Sequence, residues 1–180
     1  WSRILQTVPN SRLPLKASGL QQQEVRTTIE RLALAVEIDP SRLELLPPTA
    51  SRAEHLATYA RIDIALDPFP YHGTTTTCEA IFMGVPVISL AGETHVSRVG
   101  VSLLRTLGLH DLIATNEAEY IQLAATLAAN PARLQSLRTA LRPRMQSSPL
   151  CDEASFAVRF QSLLRTTWQV ACNRPTPQQT

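Results

Sequence analysis

The sequence predicts an α/β protein, with a parallel sheet flanked by helices and additional helices toward the C-terminal end. Short apolar runs alternate with helical patterns through the first 114 residues, the spacing of parallel βαβ units. The runs end in loops rich in Pro, Gly and Thr, and ligands of doubly wound sheets bind at such strand ends. Beyond Leu112 only helical patterns remain.

Each element has its own signal. Trp1, Ile4, Leu5 and Val8 form one face of a helix that Pro9 and Asn10 end. Residues 11–18 read as a strand through Leu13 and Leu15, with Pro14 weakening it or placing it at a strand end. Val25, Ile29, Leu32, Leu34 and Val36 are expected to form the apolar face of a helix over 22–36, closed by Asp39-Pro40. Residues 42–46 read as a strand, followed by the stiff loop Pro47-Pro48-Thr49-Ala50. Ser51 and Glu54 make a capping box at the head of a helix carrying His55, Leu56 and Tyr59. A strand at 62–66, a helix at 75–83, a strand at 86–90 and a helix from Ser97 to Gly108 follow. Helices are then expected over 116–129, over 131–145 behind an Asn cap and Pro131, and over 151–170. In the last, Phe156, Phe160, Leu163, Leu164 and Trp168 recur at helical spacing and are expected to pack in a core. The units are a sheet-bearing lobe at 1–114, C-terminal helices at 115–173, and a polar tail at 174–180 expected to be disordered.

Composition narrows the function classes. Hydrophobic residues make up 44% and charged residues 18%, the balance of a globular chain. Seventeen Lys and Arg are scattered among fifteen Asp and Glu, so no nucleic-acid surface is indicated. No apolar run has the length of a membrane span and no signal-peptide pattern is present, so no membrane partner is expected. Cys78, Cys151 and Cys172 lack C-x-x-C spacing, which speaks against a disulfide framework or zinc site and points to a reducing, cytoplasmic setting. The chain opens at Trp1 in mid-helix pattern, and is expected to be a piece of a longer polypeptide.

The chemistry concentrates at residues 67–80, Asp-Pro-Phe-Pro-Tyr-His-Gly-Thr-Thr-Thr-Thr-Cys-Glu-Ala. Gly73 and the threonines open a helix, so free backbone N–H groups, hydroxyls and the positive end of the helix dipole aim at one point, which suits a phosphate. One Thr suffices as a cap, and four β-branched residues are a poor choice for a helix interior. Glu79 lies one turn further on, where it either faces a ligand's hydroxyls or merely complements the dipole. His55 offers an imidazole face behind the rigid proline loop. Tyr71 and His72 lie on the loop itself and are expected to see ligand rather than core. Arg98, a cation at a helix start, is expected to meet an anion or carboxylate. The loops at 47–50, 67–76 and 91–96 are expected to converge on one crevice. No G-x-G-x-x-G, P-loop or G-x-S-x-G pattern occurs, and the four histidines lack metal-ligand spacing. A sugar-nucleotide site remains, with phosphate cradle, stacking group and carboxylate.

Taken together, Asp67-Pro68, residues 73–76, Glu79, Gly84-Val85-Pro86, Gly92-Glu93-Thr94, Ser97-Arg98-Val99, Leu107-Gly108, Leu112-Ile113-Ala114 and Ser147-Ser148-Pro149-Leu150 resemble the C-terminal catalytic lobe of the O-linked N-acetylglucosamine transferases. The resemblance runs in order from Trp1 to about Trp168. It implies the Rossmann-like C-terminal lobe of a GT-B fold, preceded in the family by an N-terminal catalytic lobe and tetratricopeptide repeats. It also implies UDP-N-acetylglucosamine as donor, a Ser or Thr hydroxyl of a protein or peptide as acceptor, inversion at the anomeric carbon, and no metal or other cofactor.

Carried over by position, the resemblance places His55 against uracil, the Ala50 backbone at the uracil edge and Arg52 near the ribose. Thr74, Thr75 and Thr76 fall on the family's His-Thr-Thr diphosphate loop, with Thr74 and Thr75 taken as catalytic. Gly73 and Tyr71 complete the loop, and Glu79 falls on a ribose-binding Asp. Thr74 stands where the family has His, and Glu79 is one methylene longer than Asp; both departures bear on donor affinity and sugar preference. The family's phosphate-binding lysine would precede Trp1, and groups assisting the acceptor lie in the other lobe, so this chain is expected to hold donor without turning it over. Another GT-B sugar-nucleotide enzyme, such as an epimerase, and a catalytically silent UDP-binding scaffold are the alternatives.

Overall fold

The structure, a computed structural model, describes residues 1–173, so the tail expected to be disordered at 174–180 lies outside the described residues. Helices α1 (Ser2–Thr7) and α2 (Gln23–Ala35) alternate with strands β1 (Leu13–Lys16) and β2 (Leu43–Leu46). Then come α3 (Arg52–Ala57), β3 (Ala65–Leu66), α4 (Thr75–Phe82), β4 (Val87–Leu90), α5 (Val99–Thr106) and β5 (Ile113–Ala114). Helices α6 (Glu117–Ala128), α7 (Pro131–Gln146) and α8 (Glu153–Cys172) close the chain. The α/β class and the element order agree with the sequence.

The strands make two parallel sheets rather than one. β1 pairs with β2, Leu13 opposite Leu43, and β3, β4 and β5 pair in that order. Between β1 and β3 lies a cleft of about 1320 Å³, lined by all of β1 and by Ile62, Ile64, Ala65 and Leu66. The second edge of β1 and of β3 pairs with no strand among the described residues. Pro14 sits inside β1 opposite Glu44, where a residue without an N–H is tolerated because the strand has an unpaired edge. β3 is shorter than the run at 62–66 because only Ala65 and Leu66 find ladder partners, in β4.

β4 is buried at all four positions, as a central parallel strand covered on both faces must be. In the same core as this strand are Ile81, Leu104, Tyr120 and Leu141 from α4, α5, α6 and α7, and Val85, Leu109 and Leu112 from the turns between elements. Gly84 closes α4 with φ +81, and a Cβ there would meet the Arg138 carbonyl oxygen at 2.6 Å, so the position both needs the left-handed region and lacks space. A smaller cluster, Leu5, Ala33 and Ile38, fills the space under α1 and α2.

Two expected apolar faces are not buried. On α2, Leu32, Leu34 and Val36 are exposed while Ala33 is buried. The face turned inward runs through Val25, Ile29 and Ala33, each four residues from the last, and leaves Leu32, Leu34 and Val36 outside it. On α8, Phe156, Phe160, Leu163, Leu164 and Trp168 are all exposed, Phe156 at 62% and Trp168 at 66%, correcting the expectation of core packing. The period is helical and Phe156 stacks on Phe160 at 5.6 Å, but α8 packs chiefly on the short turn before it. Periodicity marks a face as apolar and says nothing of what covers it.

Candidate functional site

Ser51 caps α3 as expected, but Glu54 reaches past it to Ala50 and so does not close the reciprocal box; the two bonds shape one wall of the cleft. Ser51 Oγ accepts from Glu54 N at 3.2 Å, and Glu54 Oε2 reaches back to accept from Ala50 N at 3.0 Å. The Ala50 N–H, expected at the edge of a base, is therefore engaged by Glu54, while Ala50 and Arg52 remain exposed along the cleft. Ser51→Ala should lower stability by about 1 kcal/mol, checked by thermal unfolding.

Facing this wall is the N-terminus of α4. Thr74 occupies the cap position without any side-chain cap hydrogen bond, and Thr74, Thr75 and Thr76 are exposed. The hydroxyls are thus free of the capping role, and the first-turn N–H groups of a helix have no intrahelical acceptor. Gly73 is required by the tight approach of the loop to its own helix: a Cβ would stand 2.5 Å from Thr76 Oγ1 and 2.7 Å from Thr77 Oγ1.

A buried polar cluster holds the loop from behind. Asp67 Oδ1 accepts from Gly73 N at 2.9 Å, and Asp67 Oδ2 accepts from Ser89 Oγ at 2.6 Å. His72, expected to see ligand, is only 2% exposed. Its Nδ1 accepts from Gly100 N at 3.1 Å and its Nε2 donates to the Leu90 carbonyl at 3.0 Å. That pattern puts the proton on Nε2 of a neutral ring, so the 3.3 Å approach of Nδ1 to Asp67 Oδ2 joins two acceptors in one network and is not an ion pair. Its place on the loop pointed His72 toward the ligand side; three backbone partners, Gly100 N and the Leu90 and Val96 carbonyls, hold it in the core.

His55 and Glu79, 24 positions apart, meet at 2.9 Å through Nε2 and Oε2. Lys16, not singled out by sequence, places Nζ 2.6 Å from His55 Nδ1 and donates to Thr49 Oγ1 at 3.2 Å. Its only sequence signal was a cation at the end of an apolar run. Tyr59 packs edge-on to His55 with centroids 5.7 Å apart, and its hydroxyl donates to the Thr76 carbonyl at 3.2 Å. Tyr59 therefore ties the His55 wall to the threonine wall.

Burial, with the Glu79 charge adding to it, pushes the Tyr59 phenol up to about 12 from 10.0. A phenol whose folded value is raised contributes stability that is complete below the unfolded value and lost as pH climbs through the folded one. Stability should fall between about pH 10 and 12, and Tyr59→Phe should reduce that slope in alkaline unfolding titrations.

Ala50, Arg52, His55 and Thr76 line the cleft, and Glu79 joins them through His55. Gly73, Thr74 and Thr75 lie just before Thr76 at the head of the same helix but do not themselves line the cleft, and neither does Tyr71, which is 73% exposed. Of the three loops expected to converge, 91–96 does not border the cleft; it supports the 67–76 loop, accepting from His72 N at the Val96 carbonyl, 2.9 Å. Arg98 finds no carboxylate. Among the described residues its partner is the Gly92 carbonyl, to which Nη1 donates at 2.8 Å.

All three cysteines are free. Among the described residues no cluster of His, Cys, Asp or Glu is grouped to hold a metal ion, and no helix is long and apolar enough to cross a membrane.

A parallel α/β lobe in which a hydroxyl-lined helix N-terminus is followed by a carboxylate bonded to an imidazole has the groups that a nucleotide site would need. The family model described as Glycosyl transferase family 41 matches residues 1–160, and the chain belongs to that family. It is 44% identical over 181 residues to a probable UDP-N-acetylglucosamine–peptide N-acetylglucosaminyltransferase SPINDLY of Arabidopsis thaliana, covering 98% of this chain and 19% of that protein. It is 29% identical over 169 residues to the UDP-N-acetylglucosamine–peptide N-acetylglucosaminyltransferase of Caenorhabditis elegans, covering 94% of this chain and 14% of that one. Among solved structures, a variant O-GlcNAc transferase from Thermobaculum terrenum superposes with a TM-score of 0.90 at 40% identity, over 96% of this chain and 33% of its own. The chain thus spans about a fifth of the length of the curated relatives it matches.

Proposed function

We propose that this lobe binds the nucleotide of UDP-N-acetylglucosamine, and that the longer protein transfers the sugar to Ser or Thr hydroxyls of protein acceptors with inversion. Membership of the family and the names of its relatives support the reading. The single observation that carries it is the N-terminus of α4, whose threonine hydroxyls are not consumed by capping and whose Glu79, one turn further on, is bonded to His55.

In this reading Thr74, Thr75 and Thr76 take the diphosphate, His55 stacks on the base, and Glu79 accepts from the ribose hydroxyls. As the bond to the sugar breaks, negative charge grows on the departing diphosphate. Backbone N–H groups, hydroxyls and the helix dipole are already oriented toward that charge and need no reorganisation as it forms. The same electrostatic task is one that a divalent cation performs in other enzymes, and we propose that transfer here proceeds without one.

The lobe supplies half of the site. The unpaired edges of β1 and β3 and the apolar face of α8 are, in this reading, the surfaces on which further segments of the longer protein pack.

Thermal-shift measurement tests the reading. UDP and its N-acetylglucosamine conjugate should stabilise the protein, by about 2.7 kcal/mol at a hundredfold excess over Kd, while adenine nucleotides should not. Mass spectrometry should then find an added N-acetylhexosamine on a Ser or Thr of an acceptor. Stabilisation by UDP without transfer would favour a binding scaffold, and no stabilisation would overturn the site.

A further inference from the structure

Lys16, His55 and Glu79 come from β1, α3 and α4 and form one hydrogen-bonded chain. Only one arrangement of protons satisfies it. An ammonium has donors and no acceptor, and a carboxylate has acceptors and no donor. Lys16 Nζ must therefore donate to His55 Nδ1, leaving the imidazole proton on Nε2, from which it is donated to Glu79 Oε2. The ring is held at both nitrogens and cannot turn about its axis without breaking a charge-assisted bond. Tyr59 lies against its edge at 81°, closing a third direction. Yet the His55 side chain keeps 28% of its surface exposed, so the pinned ring still presents area toward the cleft.

We propose that Lys16 is a positioning residue for donor binding: it acts through His55, locking the ring's tautomer and plane so that a preset face meets the nucleobase. This rests on the base-stacking role assigned to His55 above. A flexible imidazole would lose rotamer freedom on stacking, and the Lys16–Glu79 clamp removes that cost before the ligand arrives. The extra methylene of Glu79 relative to Asp gains its purpose here, because it extends the carboxylate toward His55. Direct contact between Lys16 and the diphosphate is the competing use of the same ammonium. Two of its three protons already point at His55 and Thr49.

Calorimetric titration of uridine and UDP into the full-length protein separates the two. A ligand that stacks on His55 but lacks phosphates reads the clamp alone. With Lys16→Met, uridine and UDP should each weaken by the same factor, about three- to tenfold, a fraction of the energy of one stacked base. Lys16→Arg, which keeps donors for Nδ1, should bind within about twofold of the unmodified protein. In a His55→Ala background, Lys16→Met should cause no further loss, because its route to the ligand is gone.

Loss of UDP affinity with uridine unchanged, or an equal loss in the His55→Ala background, overturns the clamp and assigns Lys16 to the phosphates. Unchanged binding of both ligands by a folded Lys16→Met overturns it as well; should that variant fail to fold, Lys16→Gln is read in the same way. If the unmodified protein binds neither ligand, the donor-site reading itself has failed, and the clamp falls with it.

Discussion

Gly100→Ala should be the most destabilising single-methyl change in the molecule. A Cβ at this position would overlap Asp67 Oδ2 and Ser89 Oγ and stand 3.1 Å from His72 Nδ1. In an exposed helix the same change would add about 1 kcal/mol of stability through propensity. Here α5 is pressed against the buried Asp67 cluster, and moving the helix away would break the bond from Gly100 N to His72. Overpacking combined with disruption of a buried network is expected to cost at least about 3 kcal/mol. Chemical unfolding measures it, and a loss under about 1 kcal/mol would show that α5 can shift freely. Because Asp67 also holds Gly73, surviving folded protein should bind UDP more weakly.

Thr75→Ala combined with Thr76→Ala should produce the largest loss of binding without loss of fold. Both side chains are exposed and neither hydroxyl supports α4 as a cap, so stability should change little. A hydrogen bond to a charged group is worth about 1.5–3 kcal/mol. Removing two from a diphosphate should weaken UDP by at least about a hundredfold, with backbone N–H groups and dipole retaining the remainder. Uridine should bind as before. Unchanged UDP affinity in calorimetry, or an equal loss for uridine, would remove the phosphates from the head of α4.

Much of the fold follows from local rules. The order of helices and strands, the Ser51–Glu54 cap, the Asn130–Pro131 helix start and the stop at Gly84 each depend on residues within one turn of one another. The run of threonines at the head of α4 was legible for the same reason, since an excess of hydroxyls at a helix start is a local anomaly. His55 and Glu79 were legible singly, through the resemblance, but their contact was not, because no short-range pattern encodes a meeting of residues 24 positions apart.

The departures share a cause. His72 was assigned to the ligand side by its place on the loop, yet the Gly100 N–H and the Leu90 carbonyl hold it in the core. The stripe on α8 was assigned by period, yet its faces are open. Type and period describe what a side chain can do; partners distant in the chain decide what it does.

The opening at residues 73–76 shows the division at one site. Its composition alone, glycine followed by threonines at the head of a helix, pointed to a place for an anion, because propensity, capping and dipole act within a single turn. That Asp67 steadies this loop from below, that Tyr59 ties it to the opposite wall, and that Lys16 pins His55 across the cleft are outcomes of packing. They arise because the folded sheet brings the ends of separate strands together, and no residue's immediate neighbours carry that information.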